Sequence, residues 1–205
     1  MIDLCPQCHN HEWNKEVTPD KQQITCPNCG HSWNFKAMPL FILTGCSGVG
    51  KTTTAMELQQ RDINFIPMDA DFLYNLMPHE TDEDYKNMAE QIMSLSKDIM
   101  QSGKPLLWTK AGALDCFEET YHLQFFTKIY YLALVCSDKE LEKRMREGRK
   151  ISDLNWITSS IDYNQWFMEH GIISGQKIDT YDITGKDVHE VANYVQHWID
   201  EKVEA

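Results

Sequence analysis

The stretch that most constrains this chain is residues 40–54, Leu-Phe-Ile-Leu-Thr-Gly-Cys-Ser-Gly-Val-Gly-Lys-Thr-Thr-Thr. Four consecutive apolar residues, Leu40 to Leu43, predict a strand buried on both faces. Gly45, Gly50, Lys51 and Thr52 then fit the spacing G-x-x-x-x-G-K-[ST], and a helix-compatible segment runs on through Gln60. A chain passing from strand to helix with its N–H groups turned inward needs glycine at the sharpest positions. Glycine also leaves room for phosphate oxygens. The new helix N-terminus adds the positive end of its dipole. The spacing therefore predicts a triphosphate cradle over Gly45, Cys46, Ser47, Gly48, Val49, Gly50, Lys51, Thr52 and Thr53. Lys51 reaches the β- and γ-phosphates and the Thr52 hydroxyl holds Mg²⁺.

At 205 residues the chain is long enough for one full domain and a small appendage. A net charge of -12 argues against a general nucleic-acid-binding surface, because that affinity rests on neutralising phosphates, but leaves room for a local basic pocket. No apolar run approaches a membrane span and no leader pattern opens the chain, so the expectation is a cytoplasmic protein without membrane contact.

Residues 1–36 read as a separate unit. Cys5-Pro6-Gln7-Cys8 and Cys26-Pro27-Asn28-Cys29 are two C-x-x-C knuckles, each followed by His-x-Trp, at His11 to Trp13 and His31 to Trp33. In a chain expected to be cytosolic, such pairs indicate metal rather than disulfides. Four thiolates suit tetrahedral Zn²⁺ in a closed, structural site, and so short a segment needs the metal to fold. Cys5, Cys8, Cys26 and Cys29 are the expected zinc ligands, with His9, His11 and His31 as alternatives; a redox pair or an iron–sulfur site are competing readings. The unit's charges nearly cancel, and Trp13 and Trp33 fit a miniature core better than a base-stacking platform. It is similar to zinc ribbons in general. A linker, 37–39, leads into the second domain, 40–205.

That domain repeats strand–loop–helix about five times, which predicts an α/β fold with a parallel five-stranded sheet and helices on both faces. Expected strands cover 40–43, 63–67, 105–109, 128–135 and 177–184; expected helices follow the phosphate loop and cover 81–101, 137–146, 152–170 and 187–203. Thr81 is an expected N-cap, and Ser137 with Glu140 an expected capping box. Asp69 and Asp71 follow the second strand, where open α/β sheets bind ligands. One can coordinate Mg²⁺ and the other take a proton from an acceptor hydroxyl; the plainer alternative is a polar turn capping the next helix. The third strand ends in Thr109-Lys110-Ala111-Gly112, without the aspartate that many phosphate-loop ATPases place there, which shifts metal organisation towards Asp69 and Asp71. Lys110 either faces a substrate or is solvated. Phe72 and Tyr74 either stack on an acceptor or belong to the core, and Trp156 and Trp166 read as packing residues. A basic cluster, Lys143, Arg144, Arg146, Arg149 and Lys150 with Gly148 as hinge, can close over a triphosphate or simply complement a helix C-terminus.

Residues 40–205 resemble the nucleoside/nucleotide kinase-like group of phosphate-loop small-molecule kinases, which includes nucleoside monophosphate, shikimate and gluconate kinases. The resemblance is carried by Gly45-x-x-x-x-Gly50-Lys51-Thr52, Asp69-x-Asp71 and the Arg144-to-Arg149 cluster at the lid position. The run Tyr131-Leu132-Ala133-Leu134-Val135-Cys136 also looks like small ATPases labelled nucleoside kinases. The resemblance implies an ATP- and Mg²⁺-dependent phosphotransferase acting on a small-molecule acceptor, such as a nucleoside or nucleotide. Lys51, Asp69, Asp71, Arg144 and Arg149 would be its catalytic residues, with Thr52 and Asp69 on magnesium. Two other classes stay open: a nucleic-acid end kinase that uses the ribbon to hold RNA or DNA, and a non-catalytic nucleotide-binding module.

Overall fold

The computed structural model describes residues 2–12 and 15–204; Trp13 lies outside them. Near the N-terminus three short strands, β1 (Glu16–Thr18), β2 (Gln23–Thr25) and β3 (Ser32–Asn34), pair antiparallel in that order. The repeat seen in the sequence extends to the backbone. In one knuckle Cys5 N–H donates to Asn10 O (3.1 Å) and His9 N–H to Cys5 O (3.0 Å). In the other, Cys26 N–H donates to His31 O and Gly30 N–H to Cys26 O, both at 2.9 Å. The fourth residue after each first cysteine is left-handed, His9 at φ 58° and Gly30 at φ 72°.

The second sheet contains β4 (Met38–Thr44), followed by α1 (Lys51–Leu58), β5 (Ile66–Asp69), α2 (Asp82–Ile99), β6 (Leu106–Thr109) and β7 (Phe126–Val135). Helices α3 (Asp138–Lys143) and α4 (Leu154–Glu169) come next, then a small hairpin, β8 (Ile172–Ile173) with β9 (Gln176–Lys177). Strand β10 (Asp179–Asp182) and helix α5 (Val188–Glu204) complete it. The five strands lie in the order β10-β7-β4-β6-β5, all parallel. The connection after β4 leads to β5 on one side and the connection after β6 leads back to β7 on the other, so the C-terminal end of β4 is the switch point where such sheets hold ligands. Its alternating side chains feed two cores. Leu40 and Ile42 pack with Ile92 and Met93 of α2, whereas Phe41 and Leu43 pack with Leu58 of α1 and Val195 and Ile199 of α5.

Several boundaries differ from expectation, each for a local reason. β4 starts at Met38, inside the expected linker, and a register irregularity between Met38 and Leu40 accommodates Pro39, which lacks an N–H. Ile63 and Phe65 are buried, but pairing begins only where Ile66 N–H meets Pro105 O (2.9 Å), so β5 is shifted towards Asp69. The capping box at Thr81 forms with Asp84. The one expected at Ser137 does not: Glu140 instead accepts from Arg144 one turn on and from Gly185 N–H (2.9 Å). Helix α3 stops at Lys143 and the chain continues as a π-helical turn over Arg144–Gly148.

The three-stranded sheet shares a core with the larger one. Ile2, Ile24 and Phe35 belong to the same buried cluster as Leu40 and Trp108, and Phe35 meets Phe125 edge-on at 5.2 Å. Lys97 of α2 is 1% exposed and pairs with Asp3 at 2.5 Å. Gln101 exchanges two hydrogen bonds with the backbone of Lys36.

On the other face, Asn164 of α4 is fully buried; it accepts from Cys136 N–H (3.1 Å) and donates to Cys136 O (2.7 Å). Replacing Asn164 by Ala orphans two buried backbone groups, and urea unfolding should register a loss of about 2–4 kcal/mol.

Candidate active site

Three glycines shape the loop between β4 and α1, with φ of 130° at Gly45, 82° at Gly48 and 116° at Gly50. Gly45 passes so close to β7 that a Cβ there would sit 2.5 Å from Leu134 O. A Cβ on Gly48 would meet Met145 Cγ at 2.8 Å, which ties the loop to the π-helical turn. Lys51 opens α1 and folds back over the loop, its Nζ donating to Gly45 O (2.8 Å) and Cys46 O (2.9 Å). Burial pushes the Lys51 ammonium down to about 8, against the pull of the Cys46 thiol and of Asp71 and Asp69. Thr52 and Thr53 are exposed at the cradle's mouth. Cys46 and Val49 are fully buried and anchor the loop, the Cys46 thiol facing Asn164 Oδ1 at 3.9 Å.

A cavity of about 840 Å³ opens over this loop. Its lining includes Ser47 to Thr54, Asp71, Tyr74, Thr109, Arg144 and Arg149. Both arginines expected at the lid touch the loop. Arg144 Nη1 donates to Val49 O (3.2 Å), and Arg149 Nη1 donates to Ser47 Oγ (2.6 Å). Arg146 turns away and pairs with Glu142 at 2.8 Å. Asp69 and Asp71 are placed differently from one another. Asp69 accepts from Asp71 N–H (2.9 Å) and caps the 3₁₀ turn Ala70–Asn75, while Asp71 lines the cavity. Thr109 closes the end of β6 where an acid was absent from the sequence.

Other residues at the site were not anticipated. Trp156 is 45% exposed on the cavity rim, with the Arg149 guanidinium 5.6 Å from its ring centroid. Its place one helix after the basic cluster was the available signal. Ile183, Lys186 and Val188 form a further wall. They follow β10 at the same C-terminal edge of the sheet, so topology could have found them. Lys110 is buried rather than solvated, at 2% exposure. Phe72 is 41% exposed and stacks on Trp108 at 6.2 Å, and Tyr74 lines the cavity.

At the opposite end, the Sγ atoms of Cys5, Cys8, Cys26 and Cys29 all lie within 4.8 Å of one another. Two pairs, Cys5–Cys29 and Cys8–Cys26, stand at 3.7 Å. Tetrahedral Zn²⁺ with bonds near 2.3 Å sets its sulfurs about 3.8 Å apart, so the donor set fits. Asn28 Nδ2 donates to Cys8 Sγ (3.5 Å) and holds that thiol down to about 6, favouring the thiolate. His9 and His11 are exposed, and the four-cysteine group includes no histidine. None of the described helices is long and apolar enough to cross a membrane.

No family model and no curated sequence matches the chain. Solved structures do. A gluconokinase from Sinorhizobium meliloti 1021 superposes with a TM-score of 0.57 at 13% identity, covering 81% of this chain and 94% of that one. A sugar kinase from Janibacter sp. HTCC2649 gives 0.57 at 15% identity, covering 80% and 95%. The tunicamycin resistance protein of Deinococcus radiodurans gives 0.55 at 15% identity, covering 80% and 96%. The larger part of the chain shares the fold of these structures, a parallel five-stranded sheet with helices on both faces.

An adjacent triphosphate favours charged Lys51, so its ammonium titrates higher with nucleotide bound than at its free value of about 8. Between the two values binding takes up a proton, and affinity falls as pH rises. Calorimetry with Mg·ATP should show affinity declining above pH 8, with proton uptake, and Lys51→Met should show neither.

Proposed function

We propose that the protein is an ATP-dependent phosphotransferase acting on a small-molecule acceptor, carrying a structural zinc ribbon over residues 1–36. One observation supports the first part above all: Lys51, Asp71, Arg144 and Arg149 converge on one cavity above the phosphate loop. Backbone N–H groups from Gly45 to Thr53 cradle the phosphates, and Lys51 exchanges its loop carbonyls for phosphate oxygens. Arg144 and Arg149 face the charge that spreads over the moving phosphoryl group. Thr52, at the mouth, and Asp69, through its carboxylate next to Asp71, offer the hard oxygen donors that Mg²⁺ takes. When bound, the ion neutralises phosphate charge. Asp71 orients the acceptor hydroxyl and accepts its proton as the oxygen takes the γ-phosphoryl group and ADP leaves. The names of two structural neighbours, gluconokinase and sugar kinase, support a hydroxyl acceptor; a nucleoside or nucleotide fits the same chemistry.

Incubation with γ-labelled ATP and a panel of sugars, sugar acids, nucleosides and nucleotides should label one class of acceptor. Asp71→Asn should cut that transfer by about a hundredfold or more while leaving ATP affinity within about twofold. Transfer at the wild-type rate in Asp71→Asn would remove the base role.

In the ribbon, zinc supplies the cross-link that so small a sheet lacks. Four thiolate ligands suit the reducing cytoplasm. Trp33 is half-buried against the shared core and donates its indole N–H to Ile2 O (3.2 Å), which supports a packing role for that ring. Metal analysis of the purified protein should return about one zinc per chain. Cys26→Ser should lose the metal and lower the melting temperature by several degrees.

A further inference from the structure

Two lysines of the larger unit are fully buried, and their surroundings differ in kind. Lys97 is 1% exposed and has the Asp3 carboxylate at 2.5 Å. Lys110 is 2% exposed and has no carboxylate within ion-pair distance among the described residues. Its Nζ donates to Gly112 O (2.9 Å) and Tyr74 Oη (3.4 Å), with the Tyr74 and Tyr85 rings each 5.6 Å away. An ammonium has three protons to donate and a charge to neutralise; a carbonyl, a phenol and two ring faces leave the charge uncompensated. Burial holds Lys110 below its ordinary range, offset in part by Cys116 and Asp71.

Lys51 offers a partial parallel: a half-buried ammonium that donates only to backbone carbonyls. In the proposed reaction the anion that pairs with it is the triphosphate. Lys110 lies at the same edge of the sheet, its N–H bonded to Leu43 O (3.1 Å) just past the end of β6. Its sequence neighbours Thr109 and Ala111 line the cavity, as do Tyr74 and Asp71. We infer that Lys110 and Tyr74 form an oxyanion subsite on the acceptor side of the cavity, so that the acceptor carries a carboxylate or phosphate besides the hydroxyl that is phosphorylated. This rests on the phosphotransferase reading. A cation on the Asp71 side of the cavity offsets the repulsion between that carboxylate and an anionic acceptor.

The test uses the full chain, with and without a non-hydrolysable ATP analogue and Mg²⁺, followed by thermal melting. The probes are inorganic phosphate, a sugar carboxylate, and the corresponding neutral sugar. The two anions should raise the melting temperature in a saturable way with the analogue bound, and the neutral sugar should not. The stronger of the two anions distinguishes a phosphorylated from a carboxylated acceptor. Lys110→Met should weaken the anion response by about tenfold or more in concentration, as expected for losing a charged hydrogen bond. Tyr74→Phe, which keeps the cation, should weaken it by a smaller factor; it decides the matter should Lys110→Met not fold. Wild-type protein that ignores both anions, or variants that respond as wild type does, would overturn the subsite. Failure of the analogue to bind, or of any acceptor to be labelled, would instead count against phosphotransfer, and the sugar-carboxylate titration without analogue, compared between wild type and Lys110→Met, would still decide the subsite.

Discussion

Everything at the C-terminal edge of the larger sheet depends on how closely the glycine-rich loop after β4 lies against the neighbouring strand. Gly45 leaves β4 so close to β7 that a Cβ there would meet Leu134 O at 2.5 Å, nearer than van der Waals contact permits. That approach is possible because β4 is central, paired on both sides and buried on both faces, and it fixes where the loop's N–H groups point. Asn164 then pins the end of β7 from above and meets the Cys46 thiol, so the loop is held by the strand on one side and by α4 on the other. Met145, against Gly48, closes the third side.

Charge follows the same geometry. In a chain of net charge -12, one cleft collects Lys51, Arg144, Arg149 and Lys186. Arg144 is already engaged with Glu140 and with a loop carbonyl, and Arg149 rests between Ser47 and the Trp156 ring. Such contacts keep flexible cations near their working positions and reduce the ordering cost when an anion arrives. The π-helical turn that carries Arg144 departs from α-helical winding, a distortion that often accompanies functional sites.

Much of this was legible in the residues. The glycine spacing located the loop, hydrophobic runs located β4, β6 and β7, and the paired knuckles located the four thiols, because in each case a local steric or coordination rule leaves few alternatives. What escaped was decided at longer range. The Ser137 cap failed because Gly185, 45 residues away, offers Glu140 a competing N–H. Lys110 could be read either as facing a substrate or as solvated, because only the fold brings Tyr74 and Tyr85 over it. Trp156 looked like core because helical spacing does not say which side of α4 the cleft occupies. Asp69 and Asp71 were legible as a pair but not as individuals; a shift of β5 by a few residues makes one a turn cap and leaves the other facing the cavity.

The shared core of the two sheets has a thermodynamic consequence. Ile2, Ile24 and Phe35 are buried by the same neighbours that bury Leu40 and Trp108, and the Asp3–Lys97 pair crosses the junction. Two units joined in this way melt as one, because opening either exposes apolar surface belonging to both. A metal bound only to the folded four-cysteine cluster would then stabilise β4 as well. The affinity of the cysteines for their ion and the rigidity of the phosphate loop at the far end of β4 would be linked through a single unfolding equilibrium, so that metal supply would set how much of the protein exists in a form able to hold a nucleotide.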